Sequence, residues 1–198
     1  MRALALPLVL LAFHGSIQPL PPPLRNQIAA HRWHQGCPVP LSRLRVLTVS
    51  YWGFDGRTYT GRLVVNQTAA APLLAVFRRL YGLHFAIRRM QPVLNSGDVT
   101  SSFDCRAAAP SPCPGTKATG HWSMHAYGLA VDVNPIENPY TGCGRTREKR
   151  SIPYLDRSRL RKGMVTPAVV AAFRSIGWGW GGYWTGTKDF MHFSSNGH

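Results

Sequence analysis

The chain has 198 residues, 44% of them hydrophobic and 16% charged. That length suits one domain plus a targeting segment, and that balance excludes a disordered polymer. Lys and Arg number 23 against 8 Asp and Glu, a formal net charge of +15. A field of that sign favours polyanionic partners such as an anionic cell wall, while the lack of a basic heptad helix, zinc-finger spacing or aromatic RNA-binding strand argues against nucleic acid.

The N-terminus reads Met1-Arg2, then a nearly unbroken apolar run from Ala3 to Phe13, then small and polar residues. This is the pattern of an export signal, too short to span a bilayer as a helix. Pro19, Pro21, Pro22 and Pro23 follow as a stiff linker. Residues 1–30 as a whole read as signal and tether. The expected division is residues 1–24 as signal peptide and Pro-rich linker and residues 25–198 as one domain, secreted or held at the cell envelope. An uncleaved N-terminal anchor is the alternative; no later segment is expected to span a membrane. Four cysteines, at 37, 105, 113 and 143, suit two disulfides in an exported protein. Three connectivities are possible, and Cys37–Cys105 with Cys113–Cys143 is the one favoured here.

Arg43 to Trp52 mixes β-branched and aromatic residues and predicts a strand. Gly53, Asp55 and Gly56 mark a turn, and Arg62 to Asn66 a second strand, together a hairpin. Leu73, Leu74, Phe77, Leu80 and Tyr81 fall at helical spacing within a helix from Thr68 to Tyr81, with Gly82 as its stop. Phe85 to Met90 reads as another strand and Asn95 to Lys117 as loop. Leu129 to Asn134 is a short strand, with Leu129, Val131 and Val133 on one face and Ala130, Asp132 and Asn134 on the other. A helix from Thr166 to Ile176 has Thr166 as its cap, Pro167 in its first turn and Gly177 after its end. Glycines and aromatics alternate from Trp178 before a terminal strand reaching Phe193. The expected class is α+β: a single domain with a central antiparallel sheet and flanking helices.

The chemistry concentrates in Ser123-Met-His125-Ala-Tyr-Gly128-Leu-Ala130-Val-Asp132-Val-Asn134 and in Asp189-Phe-Met-His192-Phe193. A catalytic zinc takes three protein ligands and leaves one position open. His125 and Asp132 are seven residues apart, an odd number, so one straight strand would point them to opposite faces. A turn between them is required, and Gly128 can supply it. His192 offers a third ligand from the terminal strand. Asp189, three residues earlier, is a carboxylate that can move a proton, provided the chain bends between the two. None of the cysteines forms a Cys-x-x-Cys pair, which argues against a thiolate site.

These two motifs resemble the D-alanyl-D-alanine carboxypeptidases of the VanY type and the related L-alanyl-D-glutamate peptidases. Their shared pattern is Ser-x-His-x-x-Gly-x-Ala-x-Asp followed by an acid three residues before a His. The resemblance, spanning about residues 37–193, implies the fold shared with the hedgehog signalling domain. It also implies one zinc ion held by His125, Asp132 and His192, with Asp189 as catalytic acid–base where the family often has Glu. The stretch Ser101-Ser102-Phe103-Asp104-Cys105-Arg106 resembles the family's Ser-Gly-Tyr-Arg, which implies that Arg106 binds substrate and stabilises charge on its carbonyl. Ser123 resembles the family's substrate-contacting serine; the alternative role for its hydroxyl is a bond to local backbone alone. The implied function is hydrolysis of peptidoglycan stem peptides by a secreted monomer, foremost as a D-alanyl-D-alanine carboxypeptidase. The alternatives are an L-alanyl-D-glutamate or cross-bridge endopeptidase and, in another class, a non-catalytic zinc-containing wall-binding module. Trp178, Trp180, Tyr183 and Trp184 either line a sugar or peptide groove or pack internally.

Overall fold

The computed structural model of the protein describes residues 12–92, 98–117 and 120–198. The predicted signal lies outside the described residues up to residue 11, as do residues 95–97 of the predicted loop.

The predicted hairpin is the first structural unit. Strands β2 (Leu44–Trp52) and β3 (Thr58–Asn66) pair antiparallel, Leu44 opposite Asn66 and Trp52 opposite Thr58. The second strand starts four residues earlier than its composition suggested. Side chains alternate between two faces, and both faces are buried along most of β2 and along Leu63–Val65 of β3. Leu47, Val49, Leu63 and Val65 join one apolar cluster; Leu44, Val46 and Val64 join another.

The second cluster is closed by residues that the sequence pass assigned to signal and tether. Gly15–Pro19 form strand β1, antiparallel to β2 with Gly15 opposite Val49. Pro22–His31 form helix α1, which buries Leu24 and Ile28. Prolines 22 and 23 stand in its first turn, where an amide hydrogen has no helical acceptor to lose. The Pro-rich stretch is thus a helix start rather than a linker. Cys37–Cys105 anchors the segment after α1, and Cys113–Cys143 closes a second loop, the pairing favoured from the sequence.

Helix α2 (Gln67–Gly82) covers the first cluster with Ala69, Leu73, Val76, Phe77 and Leu80. Asn66 caps it, its side chain accepting from the Thr68 amide at 3.1 Å. The helix ends at Gly82, as expected, and the left-handed residue of the turn that follows is His84, whose φ is 52°. Phe85–Met90 does not form the expected strand. Only isolated bridges, Trp52 to Ala86 and Met90 to Thr100, occur there. The Arg88 amide bonds to the side chain of Asn134 at 2.9 Å, which takes it out of any ladder.

Two more small antiparallel sheets complete the fold. In one, β4 (Ala130–Asp132) pairs with β9 (His192–Ser194), and β9 pairs with β7 (Gly179–Trp180). In the other, β5 (Tyr140–Gly142) lies between β6 (Arg145–Thr146) and β8 (Lys188–Asp189). The α+β class holds, but the expected central sheet is three sheets of three strands each among the described residues. Helix α3 (Pro167–Arg174), capped by Thr166, packs Phe173 flat against Phe193 with ring centroids 3.9 Å apart. Val131 and Val133 join the same core, so the outer face of β4 is fixed by packing. Among the described residues no helix is long and apolar enough to cross a membrane.

Past β4 the chain turns on polar contacts. Asn134 takes a φ of 46° and donates to Ala86 O and Gly163 O at 2.8 and 2.9 Å. Asn138 is fully buried; it donates to Val133 O at 3.0 Å and Gly163 O at 2.9 Å and accepts from the Val165 amide at 2.7 Å. Removing that amide leaves several buried backbone groups unpaired. We expect Asn138→Ala to lose about 2–4 kcal/mol of unfolding free energy, read by denaturant titration. A loss below the error of that measurement would show that solvent repairs the site.

Candidate active site

The sequence motif folds as the parity argument required. Met124–Tyr127 form a 3₁₀ turn that ends at Gly128, with φ 65° and ψ 26°. A side chain at Gly128 would be strained in this left-handed conformation, and its Cβ would lie 2.7 Å from the Asn66 backbone nitrogen. The turn places His125 before β4, and Asp132 ends β4 directly opposite His192 of β9. A bend before His192 predicts Asp189 on the loop entering the terminal strand, but Asp189 instead ends the short strand β8, paired with Tyr140. Phe190 and Met191 then bend the chain, with the Met191 carbonyl accepting from Val133 N at 2.9 Å. Gly181 makes room for Asp189, because a Cβ there would meet the Asp189 backbone and side chain.

Three donor atoms converge. His125 Nε2 lies 3.1 Å from Asp132 Oδ1 and 3.2 Å from His192 Nδ1, and His192 Nδ1 lies 3.2 Å from Asp132 Oδ1. Around a tetrahedral zinc with bonds of about 2.0–2.1 Å, neighbouring ligand atoms stand about 3.3 Å apart. The outward nitrogens are tied to backbone carbonyls: His125 Nδ1 to Ser102 O at 2.5 Å and His192 Nε2 to His198 O at 3.3 Å. A ring nitrogen facing a carbonyl is the donor, so each neutral imidazole turns a lone pair inward. Burial opposes ionisation of Asp132, yet in the metal-free site positive charge and hydrogen bonds from the two facing rings, when protonated, hold its carboxyl far below the ordinary range; the lone-pair arrangement is the one that a bound cation would select. Two inward lone pairs and a carboxylate, nearly sealed from water, repel one another unless a cation lies between them. The donor set therefore fits a divalent ion.

A second group, His34, Cys37 and Cys105, also comes close together. Its sulfurs are joined in a disulfide and offer no thiolate, so it does not fit a metal in the oxidised protein.

The three donors open on a cavity of about 460 Å³ that Arg106, Ser123 and Asp189 also line. Asp189 Oδ1 is buried and has no hydrogen-bond partner. Burial and the charge of Asp132 push its carboxyl up to about 7. Ser123 accepts from the His125 amide at 3.3 Å, so its hydroxyl serves local backbone as well as the wall of the cavity. Arg106 donates to Asp104 at 3.1 Å and follows the Cys37–Cys105 disulfide, which fixes its segment beside the opening. The sequence did not single out Tyr140, Met191 or His198 as lining residues, and it gave His121 no role. Trp184 was one of the aromatics left between groove and core, and it lies on the cavity wall. Only tertiary contacts bring them there. Trp184 was the most legible of them, lying in the aromatic-glycine run, with its ring 5.5 Å from that of His192.

Residues 116–195 match the model of a family described as D-alanyl-D-alanine carboxypeptidase. The likeness to that peptidase family is confined to this segment. It contains His125, Asp132, Asp189 and His192 and stops short of Arg106 on the N-terminal side. No curated protein and no solved structure matches the chain.

The raised Asp189 carboxyl has a consequence for the protein held in chelator. Between the ordinary carboxyl value of 3.8 and about 7 the folded state keeps a proton that the unfolded state has released. Stability contributed by that proton is present at low pH and falls as pH rises through this window. Asp189→Asn should flatten this part of the profile, measured by urea unfolding at pH 5 and pH 7. An unchanged slope would mean that another group carries it.

Proposed function

We propose that the protein is an exported, zinc-dependent peptidase that hydrolyses the stem peptides of peptidoglycan, foremost as a D-alanyl-D-alanine carboxypeptidase. The observation that carries this reading is the convergence of His125 Nε2, Asp132 Oδ1 and His192 Nδ1 at 3.1–3.2 Å beside the unpartnered Asp189. The two disulfides and the apolar N-terminal run support an oxidising compartment outside the cytoplasm. The net charge of +15 suits an anionic wall.

His125, Asp132 and His192 would hold the ion, which when bound supplies a Lewis acid for the peptide carbonyl and for water. The chain's own residues supply the proton traffic. Asp189 takes a proton from the attacking water as its oxygen adds to the carbonyl carbon. It returns that proton to the amide nitrogen as the carbon–nitrogen bond breaks. Its burial keeps the carboxyl close to neutral pH, where it can both accept and release a proton. Arg106, on the rim, is placed to pair with a substrate carboxylate or with the carbonyl oxygen as charge develops there. Ser123 shapes the wall beside His125.

One observation favours a longer substrate. The cavity adjoins a groove of about 410 Å³ across Tyr140 and Met191 and another of about 540 Å³ across Tyr140, Trp184 and His198. Space continuing past Tyr140 and Met191 suits a longer peptide, as an endopeptidase cutting the L-alanyl-D-glutamate or a cross-bridge bond would bind.

His192→Ala should lose stoichiometric zinc as measured on the purified protein, and full occupancy would remove His192 as a ligand. Asp189→Asn should retain zinc while kcat falls by about 10²–10⁴-fold. Equal turnover would remove Asp189 as the base. Mass analysis of products from defined stem peptides decides the bond: loss of one terminal D-Ala identifies the carboxypeptidase, and internal fragments identify the endopeptidase.

A further inference from the structure

Tyr183 is 72% exposed, the most exposed of the large apolar side chains among the described residues. It sits on a built platform. The 3₁₀ turn Gly181–Tyr183 leads from Trp180, and the Tyr183 ring meets the Trp180 ring edge-on with centroids 5.1 Å apart. Gly182 lies against the Trp180 indole where any side chain would clash. Trp180 is pinned by a hydrogen bond from Nε1 to Phe190 O at 2.9 Å, and Trp184 Nε1 donates to Gly197 O at 2.5 Å. Glycine and indole anchoring thus hold aromatic rings at the surface that nothing in the fold covers.

These rings line the groove of about 540 Å³ that runs into the catalytic cavity at Tyr140 and Trp184. Its walls carry Thr185, Thr187 and His198 beside the aromatics and, among the described residues, no Lys, Arg, Asp or Glu side chain. In a chain of net charge +15 that neutrality is a local departure. It disfavours an anionic polymer here, and it offers no partner for the carboxylates of a stem peptide. Flat rings beside hydroxyl groups suit a ligand with one apolar C–H face and a hydroxylated rim, the two-sided character of a pyranose.

We propose that this groove is a saccharide subsite that binds uncharged N-acetylhexosamine units, so that the glycan carrying a stem peptide is held while the peptide enters the cavity. The inference rests on the proposed peptidoglycan substrate, because it places the sugar and the scissile peptide in adjoining grooves. Tyr183 lies outside the catalytic cavity and acts on binding alone.

The test uses the zinc-loaded protein, a free stem peptide, the same peptide carried on its disaccharide, and a peptide-free N-acetylhexosamine tetrasaccharide. Tryptophan fluorescence of the wild type should respond to the tetrasaccharide. The disaccharide-peptide should show a KM about tenfold below that of the free peptide at similar kcat, the mark of binding energy shared by ground and transition states. Tyr183→Ala should abolish both the fluorescence response and the KM advantage while free-peptide hydrolysis is unchanged. Tyr183→Phe, which keeps the ring, should retain both. Hydrolysis of both substrates with equal KM and no fluorescence response overturns the subsite and leaves the peptidase reading intact. A KM advantage that survives Tyr183→Ala also overturns it, since the sugar then binds elsewhere. A tetrasaccharide response without hydrolysis of either peptide supports the subsite and overturns the peptidase.

Discussion

Pairing of β4 with β9 sets Asp132 opposite His192, and the remaining geometry of the site follows from that register. A slip by one residue would turn Asp132 into the core and Val131 toward the cavity, because side chains alternate along a strand. The register is held from behind. Val131, Val133 and Phe193 are buried against Phe173 of α3, so any slip would expose an apolar set. The chemistry in front is therefore aligned by hydrophobic packing at the back. His125, which belongs to neither strand, is brought in by the left-handed turn at Gly128 and fixed by the carbonyl of Ser102.

The same burial acts in opposite directions on two carboxylates. Asp132 faces two imidazoles and stays ionised despite desolvation, whereas Asp189 has an unpartnered oxygen and the Asp132 charge nearby and is pushed toward the neutral form. Two acids with divergent tendencies in one cavity are what the proposed function would need, one to hold a cation and one to move a proton. With eight acidic residues in the chain, two committed to one cavity is a large share of the anionic groups present.

The site was more legible in the sequence than the fold around it. Ser123 to Asn134 is a contiguous motif, and strand parity with one glycine was enough to require the turn that the structure contains. Local signals also located α2 and α3, through the apolar spacing of both and the Thr166 cap of α3. Long-range pairing was not legible. Gly15–Pro19 reads as the tail of a signal until β2 is present to pair with it, and Pro22 and Pro23 read as linker until Leu24 and Ile28 find a core to fill. Phe85–Met90 has strand composition, but the Asn134 side chain, 46 residues away, takes its backbone hydrogen bond. Tyr140 reaches the cavity only because β5 pairs with β8, a contact between two-residue and three-residue strands that carries no sequence signature.

The donor cluster joins segments about sixty residues apart, and this bears on the order in which the molecule assembles. Neither the His125–Asp132 turn nor the terminal strand holds three donors alone, so a chain threaded unfolded through a membrane carries no formed centre. The closing contact is also a non-local pairing, which chain entropy delays relative to helices and hairpins. Uptake of the proposed ion would then be a late event that follows packing of β9 against β4. Bound metal would accordingly be a reporter of completed folding, and free metal at the place of maturation would draw the equilibrium toward the finished protein.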